Sequence, residues 1–530
     1  MGSDNAWALF GSDDDTDPDP VCSKRPRSDP SSGGNISGAA VGGSIDGGDK
    51  SDGTDTARFG APKTSLYDDA CFAATRALWS DPEPELPTLR SFTDALTADA
   101  LIRVSQIATA LRQHRPEGGA AADALAETVR LAEGKDWSAV AKLAKKASDA
   151  HQRQLDHGNW PHECWQQSHV LALGFRIASR LHCTDENSET SAVPDRLGRI
   201  ALEALAMVTL ETEPSSVPKW LGHGILFAER KCVDDARLKQ KRMSKENTFQ
   251  TKKQNTAIPC KVPRDSPRID TSRAVPRVSC DATSAASFHE TYFKTNMPVV
   301  LEHLVCEKRG WAHLEEWRDV SGFFNDANDR LVPVTFGGHG DDNIVTEMAL
   351  GDLIRDYLGQ LDADEKSYEE NRTTEQLPTV AYMSQHCLFH QVPELAKKIQ
   401  VPSYLLGKLK PDTGAVNAWV GTADTKTALH RDPYSNLLTQ TTGFKYVRLY
   451  DVSESSKLYP EKSLRDGNSN TFTKSSVVVE TPDLKRHPKF ADASYFETIL
   501  APGDALFMPK GMWHYVRALT PSVSVNFWWN

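Results

Sequence analysis

From Thr283 to its C-terminus the chain runs as a succession of short β-prone segments, MPVVLEHL, RLVPVTFG, NAWVG, TKTALH, NLLTQTT, KYVRLYDV, FETIL, DALFMP and VSVNFWWN, separated by Gly, Pro and Asp turns. Only near MALGDLIRDYLGQL does helical spacing interrupt them. Many short strands at such spacing predict an antiparallel sandwich or barrel of the jelly-roll or cupin type. In such a fold, residues far apart in sequence come to lie side by side on neighbouring strands.

One constellation needs that architecture. His430 and Asp432 are two residues apart in TKTALHRDPYSNLL. In an extended strand that spacing puts both side chains on one face. Two ligands do not hold a metal, and His514 in FMPKGMWHYVRAL is the natural third, although it stands 84 residues beyond His430. Two imidazoles and one carboxylate form the facial triad of non-haem Fe(II) oxygenases, which leaves coordination positions open. Zinc accepts the same donors.

The tripeptide His430-Arg431-Asp432 also opens the catalytic loop of protein kinases. That loop has its Asn five residues after the Asp, whereas Asn436 is four residues after Asp432, and the Gly-rich loop, VAIK lysine and DFG segments are missing. Lys445 supplies a second clue. Read as a strand, FKYVRLYDV puts Lys445 on one face with Val447 and Leu449, and Tyr446, Arg448 and Tyr450 on the other. An ammonium on an apolar face needs an anion beside it. In a metal oxygenase the distal carboxylate of 2-oxoglutarate is one anion that would serve, which favours iron over zinc.

At 530 residues the chain is expected to hold two or three domains. A formal charge of −11 argues against non-specific nucleic-acid binding as the main activity. Nine cysteines without CxxC pairs, and an N-terminus without a long apolar run, predict a reduced protein with no membrane segment, located in the nucleus, the cytoplasm or both. Residues 1–62, rich in Ser, Gly and Asp, are expected to be a disordered tail. Residues 63–230 carry Ala and Leu at helical spacing and predict a domain of five to seven helices, a scaffold or a docking site for a protein partner. Its histidines, His151, His157, His162, His169 and His182, show no metal-binding spacing and are read as surface or satisfied core residues. Residues 231–277 are basic and Pro-rich and are read as a linker. Lys24–Arg27 (KRPR) and Lys239–Arg242 (KQKR) are candidate nuclear signals, the alternative being solvated charge.

The segments LHRDPYSNLLTQTTGFKYVRLYDVSESSKLYP, ETPDLKRHPKFADASYFETILAPGDALFMPKGMWHYVRALTPSVSVNFWW and AYMSQHCLFHQVPEL resemble the JmjC-domain oxygenases. Within these the likeness is to the subgroup of lysine-specific demethylase 8, also described as JmjC arginyl hydroxylases. It is strong from about Pro298 to Asn530, weaker over HGNWPHECWQQSHVLALGFRIASRL, and does not reach the first 60 residues or so. It implies a multidomain α + β protein whose helical domain precedes a double-stranded β-helix over 278–530, a jelly-roll barrel of the JmjC type. It also implies Fe(II) held by His430, Asp432 and His514, with 2-oxoglutarate and O2 as cosubstrates. Lys445 would meet the distal carboxylate of the oxoacid, helped by the hydroxyls of Tyr382 and Thr427. Asn436 would bond near the chelating end, and Trp419 and Gln385 would line the substrate pocket.

One departure stands out. Where the subgroup has a glutamate in a VPVEVG segment, suited to a substrate guanidinium, this chain reads VPVTFG with Thr335. Asp341, Asp342 and Glu347 are candidates to take over that contact. The expected activity is hydroxylation of a side chain in a protein or peptide, an arginyl residue first. The alternatives are histone N-methyl-lysine demethylation by the same chemistry and a non-catalytic JmjC scaffold.

Overall fold

A computed structural model of the chain describes residues 72–79, 88–114, 117–156, 163–183, 196–208, 217–244, 261–312, 314–337, 344–358, 380–405, 416–461 and 473–529. The expectations for 1–62, for His157 and His162, and for Asp341 and Asp342 fall outside the described residues.

The Ala- and Leu-rich half forms helices α1 (Ala73–Leu78), α2 (Leu89–Leu111), α3 (Gly118–Glu133), α4 (Trp137–Asp156), α5 (Glu163–His182), α6 (Leu197–Val208) and α7 (Lys219–Ser244). Their starts are capped as the sequence allows. The Thr88 hydroxyl accepts the Ser91 amide at 3.0 Å before α2, and Asp136 accepts the Ala139 amide at 3.1 Å before α4. Helix α5 is buried on every side from Leu171 to Ser179, which makes it the centre of the bundle. His169 packs there against His151 with ring centroids 4.1 Å apart, and its Nε2 lies 2.9 Å from Glu203. His182 stacks on Trp137.

Helix α7 runs to Ser244, fourteen residues past the boundary expected at 230, and takes in KQKR. Composition suggested a linker there. Yet Arg, Lys, Ala and Leu are good helix formers, and Lys231 pairs with Asp235 one turn on at 2.8 Å. Farther along the same stretch, the Asp270 amide donates to Glu497 at 2.8 Å, so this part lies against the C-terminal half.

The strands are β1 (Arg277–Ser279), β2 (Val299–Glu302), β3 (Leu331–Phe336), β4 (Ile344–Ala349), β5 (Ala381–His386), β6 (Val416–Gly421), β7 (Lys426–Arg431), β8 (Ser435–Thr442), β9 (Lys445–Tyr450), β10 (Thr473–Lys474), β11 (Phe496–Leu500), β12 (Ala505–Met508), β13 (Trp513–Ala518) and β14 (Ser522–Trp529). They make a nine-stranded sheet in the order β1-β2-β12-β8-β14-β6-β5-β3-β4 and a five-stranded sheet in the order β10-β7-β13-β9-β11. Apart from the parallel pair β1–β2, the pairings are antiparallel.

The sheets face each other. Val300, Leu438, Leu506 and Met508 of the larger one pack in a single cluster with Val447, Leu449, Leu500 and Val516 of the smaller. The outer face of the larger sheet carries a second core, in which Val334, Met383, Val420, Val525 and Phe527 meet Trp317, Phe323 and Phe389. A helical domain followed by a jelly roll is thus the observed architecture.

Two glycines set how the parts approach. A Cβ on Gly198 would lie 2.6 Å from Leu331 Cδ2, so α6 presses directly on β3. Gly443, at φ +73°, makes the tight turn between β8 and β9 and starts β9 at Lys445.

Candidate active site

Strands β7 and β13 are antiparallel neighbours, and their register sets His430 directly across from His514. The ring centroids lie 4.1 Å apart, with the planes tilted by 56°. Asp432 follows β7 by one residue, and its carbonyl accepts the Gly511 amide at 2.9 Å, fixing the turn. One carboxylate oxygen lies 3.7 Å from His430 Nε2 and the other 3.6 Å from His514 Nε2. The three ligand atoms fall within 4.8 Å of one another, a spacing that no other group of His, Cys, Asp and Glu reaches among the described residues.

Hydrogen bonds fix the tautomer of each ring. His430 Nδ1 lies 2.7 Å from the Ala428 carbonyl and His514 Nδ1 lies 3.0 Å from the Met512 carbonyl. Each Nδ1–H therefore donates to the backbone, and each Nε2 presents a lone pair toward Asp432, the arrangement a metal-bound imidazole needs. Burial, reinforced by the neighbouring His514, holds the His430 pKa well below the usual imidazole range. Burial also raises the Asp432 carboxyl, with His514 opposing it. Two imidazoles beside a carboxylate are a divalent-metal donor set, and two His with one carboxylate fit Fe(II).

Lys445, the first residue of β9, is 2% exposed and faces inward with Val447 and Leu449. Among the described residues no carboxylate is paired with it, and burial lowers its pKa to about 7. Its ammonium lies 6.0 Å from the centre of the Tyr382 ring. The Tyr382 hydroxyl is 3.5 Å from Thr427 Oγ1, and burial pushes its pKa up, which keeps it a donor. A cation, two hydroxyls and the triad thus open on one cavity, shared with Asn436, Trp419 and Gln385.

Nine of the residues singled out from the sequence line that cavity; Thr335 does not. It sits half-buried on β3, directly across from Tyr382, on the same face of the sheet and beside the pocket. Glu347, a candidate for the substrate contact, is not among the residues that line the cavity. Its carboxylate lies 3.8 Å from Arg196, against the helical domain.

Sequence reasoning missed Asn526 and Trp528, which also line the cavity. Asn526 accepts the Trp419 indole N–H at 2.9 Å and lies 3.4 Å from Asn436, so it links two pocket residues on different strands. The signal was present in VSVNFWWN, where an Asn interrupts an apolar strand on the inward parity.

Residues 285–530 match the family described as Cupin-like domain. The chain is similar to lysine-specific demethylase 8 of Xenopus tropicalis, 38% identical over 276 residues that cover 52% of this chain and 56% of that protein. Lysine-specific demethylase 8 of Danio rerio is 34% identical over 275 residues, 50% of this chain and 61% of the relative. Lysine-specific demethylase JMJ30 of Arabidopsis thaliana is 34% identical over 254 residues, 47% and 53% respectively. The chain thus spans a little over half the length of these relatives.

Proposed function

Its C-terminal half being a cupin-like domain of the JmjC type, we propose that this chain is an Fe(II)- and 2-oxoglutarate-dependent oxygenase that modifies a side chain of a protein substrate. The observation that carries the reading is one cavity holding both a His–Asp–His donor set and a buried lysine with which no carboxylate among the described residues is paired. A barrel used only for binding has no physical need for such a lysine.

Iron and the oxoacid, when bound, supply the oxidising chemistry: O2 is consumed, 2-oxoglutarate becomes succinate and CO2, and a substrate C–H becomes C–OH. The protein's residues bind and shield. His430 Nε2, His514 Nε2 and Asp432 hold the metal, and their backbone-anchored Nδ1–H groups fix the ring orientation. Lys445 donates to the distal carboxylate of the oxoacid, and Tyr382 and Thr427 add neutral donors at the same end. Asn436, held through Asn526, bonds near the chelating end. Leu438, Met508, Val516 and Trp528 exclude water from the cavity.

An arginyl side-chain carbon is the substrate atom we favour, on the sequence resemblance. The names of the relatives favour a second reading, removal of a methyl group from lysine, in which the hydroxylated N-methyl carbon leaves as formaldehyde. Such a substrate suits a nuclear location, with which KQKR in α7 is compatible. The test is succinate release from 2-oxoglutarate with and without Fe(II), with Asp432→Ala as control, followed by mass analysis of arginyl and N-methyl-lysyl peptides. Iron-dependent succinate that the variant loses supports the oxygenase. An added oxygen identifies the hydroxylase, and a lost methyl group the demethylase. Failure of the native chain to bind iron overturns the reading.

A further inference from the structure

Gln385 reaches the cavity from an unusual backbone. Its φ is +47°, and the pairing of β5 with β6 slips between Met383 and His386, so Gln385 sits in a bulge that turns its side chain into the pocket. A left-handed glutamine persists only where its surroundings hold it. The hold comes from the far side of the sheet. His386 Nε2 donates to Gln391 Oε1 at 2.8 Å. The Gln391 amide N–H2 donates to the Leu331 carbonyl at 2.8 Å and to the Glu229 carboxylate at 2.5 Å. Glu229 belongs to α7, is 2% exposed, and accepts Arg330 Nε at 2.7 Å on its other oxygen.

Helix α1 grips the same segment. Phe72, just before it, stacks on the His390 ring at 3.9 Å, Thr75 Oγ1 lies 2.5 Å from His390 Nδ1, and the Trp79 indole N–H donates to the His390 carbonyl at 2.8 Å. The segment that leaves β5 is therefore clamped by two elements of the helical domain, and among the described residues Glu229 supplies the carboxylate of the clamp.

We propose that Glu229 is a positioning residue of the pocket: through Gln391 and His386 it holds the β5 bulge that aims Gln385 at the substrate, so the helical domain is a working part of the catalytic unit. Its link to turnover rests on the oxygenase reading; the bracing does not. Replacing the carboxylate by an amide in Glu229→Gln keeps the shape but leaves one acceptor oxygen for two buried donors, the Gln391 N–H2 and the Arg330 Nε–H, so whichever faces the new N–H2 group is left unsatisfied. Arg237→Ala is the control. It removes an exposed ion pair between α7 and Asp329 and does not touch the clamp.

The test is hydrogen–deuterium exchange on the full chain, with Co(II) titrated by its absorption spectrum. In Glu229→Gln we expect exchange over 381–391 to accelerate about tenfold or more, β8 and β9 to keep native protection, and Co(II) affinity to stay within about twofold. With a peptide that supports succinate release, KM for the peptide rises about tenfold while kcat changes little. A purely structural role would instead loosen α7, β3 and β8 together and weaken Co(II) binding. Native exchange over 381–391, or a change no larger than in Arg237→Ala, overturns the proposal. A native chain that binds neither iron nor Co(II) refutes the oxygenase reading and leaves the exchange result to decide the bracing.

Discussion

Replacing Lys445 by methionine should make this protein more stable and blind to its cosubstrate at once. An ammonium whose pKa falls from 10.5 to about 7 on folding costs the native state on the order of 5 kcal/mol in its charged form. That cost is present in full below pH 7. It fades as pH rises toward 10.5, because the unfolded chain then holds the proton that the folded chain has released. Methionine fits beside Val447 and Leu449 and carries no charge, so Lys445→Met should gain up to a few kcal/mol at pH 6.5 and progressively less at pH 9. The same substitution removes the charge-assisted bond to the oxoacid, worth about 2–3 kcal/mol, so affinity for 2-oxoglutarate should fall roughly 30- to 150-fold.

Thermal unfolding at pH 6.5 and 9, and 2-oxoglutarate titration of the Co(II)-loaded protein, read the two effects. In the native chain the same logic makes 2-oxoglutarate affinity fall above pH 7, by about tenfold per unit, since only the protonated lysine binds the dianion. A variant less stable at pH 6.5 that still binds 2-oxoglutarate normally would refute the reasoning, because Lys445 would then be paired with something other than the oxoacid.

Asp432→Ala should abolish Co(II) binding and iron-dependent succinate release, while the metal-free protein loses little stability, since a buried carboxyl with a raised pKa is itself costly; calorimetry with and without metal checks both. Thr335→Glu places a carboxylate across from Tyr382 at the pocket edge and should raise turnover of an arginyl peptide severalfold if arginine is the substrate; peptide mass analysis reads it, and an unchanged rate counts against arginine. Asn526→Ala frees the Trp419 indole and one side of Asn436, at about 1 kcal/mol for each bond, and should raise KM for 2-oxoglutarate about fivefold in the succinate assay.

Residues within one extended segment were legible because alternation is local. His430 with Asp432, and Lys445 with Val447 and Leu449, follow from the two-residue period alone. AYMSQH was not read as a strand, since the left-handed Gln385 breaks the alternation by which strands are recognised. The end of α7 was lost for the opposite reason. Its charged residues look like a linker by composition, and only their helix propensity and the Lys231–Asp235 pair say otherwise.

Taken by itself, the sequence determined which side chains face inward, which can bind a metal, and that an uncompensated lysine needs an anion. Covalent spacing and strand parity carry that information along the chain. Tertiary structure alone decided that His514 lies opposite His430, that Glu347 lies near Arg196, and that a glutamate on a helix of the N-terminal half bonds to the segment after a strand of the C-terminal one. Those relations depend on strand register and on how α6 and α7 seat against β3. Both are settled by packing between segments far apart in sequence, where no local pattern records the partner.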